Sequence, residues 1–389
     1  MRQRGREGLR EQRPVATMEA AEGRLSSEDS GEMGGGMAAA AVEGIMERIQ
    51  SDDEECRVQA AKEIRRLTKT SPKHRRQLEG TVVPLVSMLR SSNPEFTEAA
   101  MLALLNLAVK DERNKIKIVD AGAVEPLIGF LRSTNSNLQE HATAALLTLT
   151  ASSINKPIVS AAGAIPLLVK ILRDGNLQAK VDAVMALYNL STLPEDINTI
   201  LAAKPIPPLV NLLKICKKSS KIAEKCTALV ELLLGHDEGR MALTSEEGGV
   251  LSVVEVLEEG SPLSREHAIG ALLTMCESDH CRYREVILNE GVMPGLLELT
   301  VQGTPKSQSK ARSLLQLLRK SSYSGSELQA ETLENILTNI VAQIDGDDCV
   351  GKAKKMLADM VQVSMEQSLR HLQKRAFATP TKQSRTKRQ

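Results

Sequence analysis

A polar residue set between aliphatic ones returns at Arg66, Asn106, Thr148, Asn189, Glu231, Thr274 and Gln316, at spacings of 40, 42, 41, 42, 43 and 42 residues. A period of that length is the strongest constraint on this chain, because it belongs to stacked supersecondary units rather than to one closed core. The neighbouring columns keep register. Two residues before the polar position stand Ile64, Leu104, Leu146, Leu187, Leu229, Leu272 and Leu314; one residue after it stand Leu67, Leu107, Leu149, Leu190, Leu232, Met275 and Leu317. Three residues before it the inner copies carry Ala103, Ala145, Ala186, Ala228 and Ala271, with Glu63 and Ser313 at the two ends. Small residues let helices approach, and polar replacements suit the outermost units of a stack.

Each unit reads as three helices. A glycine and a proline open the second helix at Gly122 with Pro126, Gly163 with Pro166 and Gly291 with Pro294, and polar turns such as SSNPE and STNSN lead into the third. Composition agrees with helices. The chain has no Trp, three Tyr and three Phe against abundant Leu and Ala, which disfavours β-sandwiches and aromatic platforms for single-stranded nucleic acid. With 50 Lys and Arg against 49 Asp and Glu it lacks the basic excess that drives generic binding to nucleic acid or anionic membranes. No apolar run is long enough for a membrane span, and the six cysteines form no CxxC pair, as expected of reduced thiols in cytoplasm or nucleus.

The repeat spacing and the AGA(I/V)xPL signature, seen at residues 121–127 and one residue shorter as AGAIPL at 162–167, resemble the armadillo repeat over roughly residues 45–320. Within that family the chain looks most like the armadillo portion of plant U-box proteins, in AAKEIRRLTKTSPKHRRQL (60–78), the NKxxIVxAGA(I/V)xPL turns and MLADMVQVSMEQSLRHLQKRA (356–376). The resemblance implies an all-α fold, a right-handed superhelical solenoid of about seven armadillo repeats with C-terminal capping helices. The expected organisation is a disordered leader at 1–44, the solenoid at 45–320, C-terminal helices at 327–376 and a basic disordered tail at 377–389. Residues 1–44 carry no Cys-Pro-Ile signature of a U-box, so intrinsic ubiquitin-ligase activity is not expected.

The resemblance also implies a concave groove lined by third helices, in which Asn side chains hold the backbone of an extended peptide. An Asn amide is suited to this because it offers both a donor and an acceptor to a main-chain amide. The ladder position holds Asn only at Asn106 and Asn189, and is otherwise Arg66, Thr148, Glu231, Thr274 and Gln316. Two readings of this column stand: a peptide ladder, or a helix position that is polar because it faces water. Recognition of nuclear localisation signals is not expected, since the Trp that such slots need is replaced by Leu102 and Met185. One and two helical turns earlier on the same face lie Lys62 in the first unit, Asp182 in the fourth and Glu224 in the fifth; Lys110 lies one turn after Asn106. The expected partner is therefore a protein or peptide segment, acidic at one end and basic or polar at the other.

Catalytic and cofactor chemistry is not expected. GDDCVGKA (346–353) has Ala353 where a phosphate loop needs Ser or Thr, and its aspartates repel phosphate. Cys276, His280 and Cys281 lack a fourth zinc ligand, and His141 and His267 lack a recognisable nucleophile. The sequence points to a monomeric binding scaffold with no enzyme activity, no cofactor, no small-molecule substrate, and neither membrane nor nucleic acid as partner. A substrate-recognition or regulatory role in U-box-type ubiquitination is the alternative.

Overall fold

The computed structural model describes residues 34–319, with side chains from residue 40. The chain divides into two compact units at Gly44/Ile45. Helix α1 (Gly34–Arg48) opens inside the stretch expected as leader, where the run MAAAAVEG has high helix propensity. The expected C-terminal helices, the basic tail and GDDCVGKA lie outside the described residues.

All regular structure among the described residues is helical. After α2 (Glu54–Thr68) come α3 (Pro72–Gln77), α4 (Val82–Met88) and α5 (Pro94–Ala108), then α6 (Glu112–Asp120), α7 (Val124–Leu131) and α8 (Ser136–Thr150). The triplets continue as α9 (Lys156–Ala161), α10 (Ala164–Asp174) and α11 (Leu177–Leu190), then α12 (Ile197–Ala202), α13 (Ile206–Ile215) and α14 (Lys221–Leu233). Two more follow: α15 (Asp237–Ser245), α16 (Gly249–Glu259) and α17 (Pro262–Ser278), then α18 (His280–Asn289), α19 (Met293–Gln302) and α20 (Pro305–Arg319). The last helices of the units, α2, α5, α8, α11, α14, α17 and α20, pack each against the next in an unbroken row, and α7, α10, α13, α16 and α19 form a second row behind them.

Local sequence explains where these helices start. Each third helix begins at a side-chain cap: Asp53, Asn93, Asn135, Asn176, Ser220 and Ser261 accept from backbone N–H groups of the first turn, and Thr304 does so for α20. Such caps satisfy donors that have no intrahelical partner. The first helix of a unit turns into the second through a left-handed residue, Gly122, Gly163, Gly248 or Gly291, at φ between 66° and 83°. In the unit of α12 and α13 this place is taken by Lys204 at φ 57°, a conformation that costs an L-residue roughly 1 kcal/mol.

The aliphatic columns make the core. Ala103, Ala186 and Ala271 are fully buried, as are Leu146, Leu187, Leu229, Leu272 and Leu314. Each large aliphatic side chain so buried contributes about 1.5–3 kcal/mol, and here the burial is against the neighbouring unit, so single units could not hold it. Leu67, Leu232 and Leu317 are only half-buried.

Candidate partner-binding groove

The seven ladder residues fall, as a column, on the row of third helices, but their surroundings differ sharply. Asn106 on α5 is half-buried and its Nδ2 donates to the Arg65 carbonyl of α2 at 2.8 Å. Asn189 on α11 repeats the arrangement, with Nδ2 3.4 Å from the Leu147 carbonyl and 3.3 Å from Thr150 Oγ1. Among the described residues neither Oδ1 has a hydrogen-bond partner. Thr148, between them on α8, turns its hydroxyl to the Ala144 carbonyl at 2.9 Å. Leu102, Leu105, Leu147, Met185 and Tyr188 remain half-buried beside these positions, so the surface is apolar between fixed polar groups. A small apolar cavity opens beneath it, lined by Met101, Leu105, Ala145 and Thr148 among others.

The charged candidates do not form an open gradient. Lys62 and Arg66 are exposed on α2; Lys62 Nζ lies 2.9 Å from Glu95, and Arg66 lies 3.8 Å from Glu63. Lys110 is exposed just past α5, at φ 53°. Asp182 is buried, 7% exposed, and accepts from Gln178 Nε2 at 3.0 Å. Burial, helped by the nearby Glu140 charge and opposed by the Gln178 bond, pushes its carboxyl up to about 6. Glu224 is buried too, with Lys225 Nζ 3.9 Å away. A position seven before the ladder points partly into the next third helix instead of the groove, so the acidic pair is largely withdrawn from a partner.

Glu231 is tied down from two further units. His267 Nδ1 on α17 lies 2.6 Å from Oε2, and Lys310 Nζ on α20 lies 2.8 Å from Oε1. Burial opposes ionisation here, yet the bonds from His267 and Lys310 and the Lys310 charge hold the carboxyl below the usual range. Lys310 reaches Glu231 across α17 because Gly270 leaves the passage clear: a Cβ there would overlap the Glu231 carboxylate and come within 2.6 Å of Lys310 Nζ. Thr274 is half-buried on α17 and Gln316 exposed on α20.

Sequence reasoning missed a second polar column at the seams between units. Asn114 Nδ2, fully buried, donates to the Arg75 and Leu107 carbonyls at 3.0 and 3.1 Å. Asn155 does the same to Lys115 and Leu149 at 3.1 and 3.2 Å. Arg75 serves the preceding seam through Thr68, Asn106 and Lys69 carbonyls, Arg240 bonds the Leu234 carbonyl, and Arg284 bonds that of Leu318. Each closes orphan carbonyls at the C-terminus of a third helix. The signal was present as a polar residue seven to ten positions after the ladder in several copies. His280 belongs with this group: its Nε2 lies 2.6 Å from the Leu317 carbonyl. His141 sits 3.7 Å from Glu98, with burial lowering its basicity despite that charge.

A row of capped third helices with a half-open polar column defines an armadillo solenoid. The chain belongs to the family described as Plant U-box protein ARM repeat region, which matches residues 41–338. It is 33% identical over 98 residues to U-box domain-containing protein 45 of Arabidopsis thaliana, covering 25% of this chain and 12% of that protein. It is 38% identical over 100 residues to U-box domain-containing protein 25 of the same plant, covering 25% and 23%. The match thus spans less than a quarter of either relative's length. The crystal structure of an engineered protein shares the fold, with a TM-score of 0.61 at 20% identity, over 87% of this chain and 91% of that one.

Proposed function

We propose that this chain is a non-catalytic scaffold that holds an extended segment of a partner protein along the third helices from α5 to α11. The observation that carries the reading is the pair of Asn amides: each spends N–H on the preceding third helix, which fixes its orientation and leaves Oδ1 for a main-chain N–H of a partner. Half-buried Leu102, Leu147, Met185 and Tyr188 supply apolar contact on either side. Recognition of substrates for U-box-type ubiquitination is the second reading, favoured by the family to which the repeats belong. We place the chain in cytoplasm or nucleus, as a monomer, in keeping with free thiols at Cys56, Cys216, Cys226, Cys276 and Cys281.

The test is capture of partners from extract by the full chain, comparing wild type with Asn106→Ala/Asn189→Ala and with Leu102→Arg/Met185→Arg. The second pair leaves the internal amide bonds in place and obstructs only the surface. Partners lost by both variants at unchanged helicity support the groove; partners kept by both remove it.

A further inference from the structure

The edge where third helices end carries a charge pattern that the groove does not use. Arg65 and Lys69 close α2, Lys73 and Arg76 lie on α3, Lys110 follows α5, and Arg113 lies on α6; all six are exposed. Seam hydrogen bonds hold these segments together. Asn106 Nδ2 bonds the Arg65 carbonyl, Arg75 binds the carbonyls of Thr68, Lys69 and Asn106, and Asn114 binds those of Arg75 and Leu107. The backbone carrying the six cations is therefore one knot across two seams, joining parts of three units. None of the six forms an ion pair with a described residue. The nearby acids are otherwise engaged: Asp111 caps α6 through the Asn114 N–H, and Glu112 pairs with Lys115 at 3.3 Å.

We infer that this edge is a docking surface for a short acidic segment of a partner protein. The inference rests on the scaffold reading and names the partner's chemistry. A long polyanion fits poorly, because farther along the same edge Glu195, Glu238, Glu277 and Asp279 are exposed and would repel it. Bases would also find no stacking surface, for the edge from α2 to α6 carries no exposed aromatic side chain among the described residues. A segment of few carboxylates crossing these two seams meets six exposed cations against the two carboxylates of Asp111 and Glu112.

The probe is a short labelled poly-glutamate peptide, titrated with the full chain at low and high salt. Saturable binding that weakens with salt is expected, and Arg65→Glu/Lys110→Glu/Arg113→Glu should weaken it at least about tenfold. The same charge change at Lys170→Glu/Arg173→Glu/Lys204→Glu, away from the edge, should leave it near wild type. Since Arg65, Lys110 and Arg113 make no ion pair, reversal should not unfold the chain, which circular dichroism checks. No binding by wild type, or equal loss in both triple variants, overturns the inference; so does a single-stranded RNA oligonucleotide that outcompetes the peptide. Asn189→Ala, which leaves the Asn106–Arg65 bond of the edge in place, separates the two readings. Peptide binding that survives it while captured partners are lost places both surfaces in use, and partners indifferent to it but lost on charge reversal sink the groove and keep the edge.

Discussion

The seams from α2 to α8 and those from α14 to α20 solve the same problem with different chemistry. In the earlier region Asn106, Asn114 and Asn155 close helix-end carbonyls with neutral amides, joined by the Arg75 guanidinium and by an exposed ion pair, Lys62–Glu95. In the later one the work is ionic: Glu231, His267 and Lys310 link three units, Lys218 pairs with Glu255 at 3.0 Å, and Arg265 pairs with Glu298 at 2.9 Å. The difference teaches how a repeat array divides its labour. A neutral amide satisfies the seam and still presents an oxygen to a visitor, whereas the Lys310 strut spends the ladder group of its unit on the solenoid itself.

The comparison breaks first at the buried amides. Asn114→Ala/Asn155→Ala removes four amide-to-carbonyl hydrogen bonds and should lower stability by about 4 kcal/mol, with little change between pH 5 and 8, read by urea denaturation. A pH-dependent loss would mean that the early seams rely on charge after all.

Asp182 sharpens the contrast from the boundary between the regions. Its folded-state carboxyl titrates at about 6 against an ordinary 3.8, so the folded chain binds the proton more tightly and stability falls as pH rises from 4 to 6. Asp182→Asn should therefore stabilise the protein by roughly 2 kcal/mol at pH 7.5 and by almost nothing at pH 4. Denaturation curves at the two pH values decide it; destabilisation at pH 7.5 would reveal a cationic partner for this carboxylate.

The smallest effect concerns the strut. Glu231→Gln should cost roughly 1–2 kcal/mol at neutral pH, because a half-buried, hydrogen-bonded pair loses its charge. Its carboxyl is held low, so the contribution is present above the ordinary carboxylate range and is lost as acid titrates the folded state. Gly270→Ala should cost a similar amount, and the double variant little more than either alone, since both break one bridge. Additive losses in the cycle would show that the two residues act separately.

Much of the fold was legible. The aliphatic columns, the small Ala column and the turn glycines are local, periodic signals, and each maps onto a buried helix face or a left-handed turn in the structure. The candidate site was legible as a column and not as a surface. Asp182 and Glu224 share the helical face of Lys62, yet lie buried where α11 and α14 meet their neighbours, because side-chain spacing on one helix says nothing about how closely the next packs. Asn114, Asn155 and Arg75 escaped notice because a polar residue at a helix start looks the same whether it faces water or bonds a carbonyl 31 to 40 residues away.

The sequence by itself determined that this chain stacks repeated helical units, since no unit carries enough apolar surface to fold without the next. Only the tertiary structure decided which polar residues remain available. That choice depends on distances between side chains one and two units apart, such as Lys310 reaching Glu231 over Gly270, and helical periodicity within one unit carries no record of them.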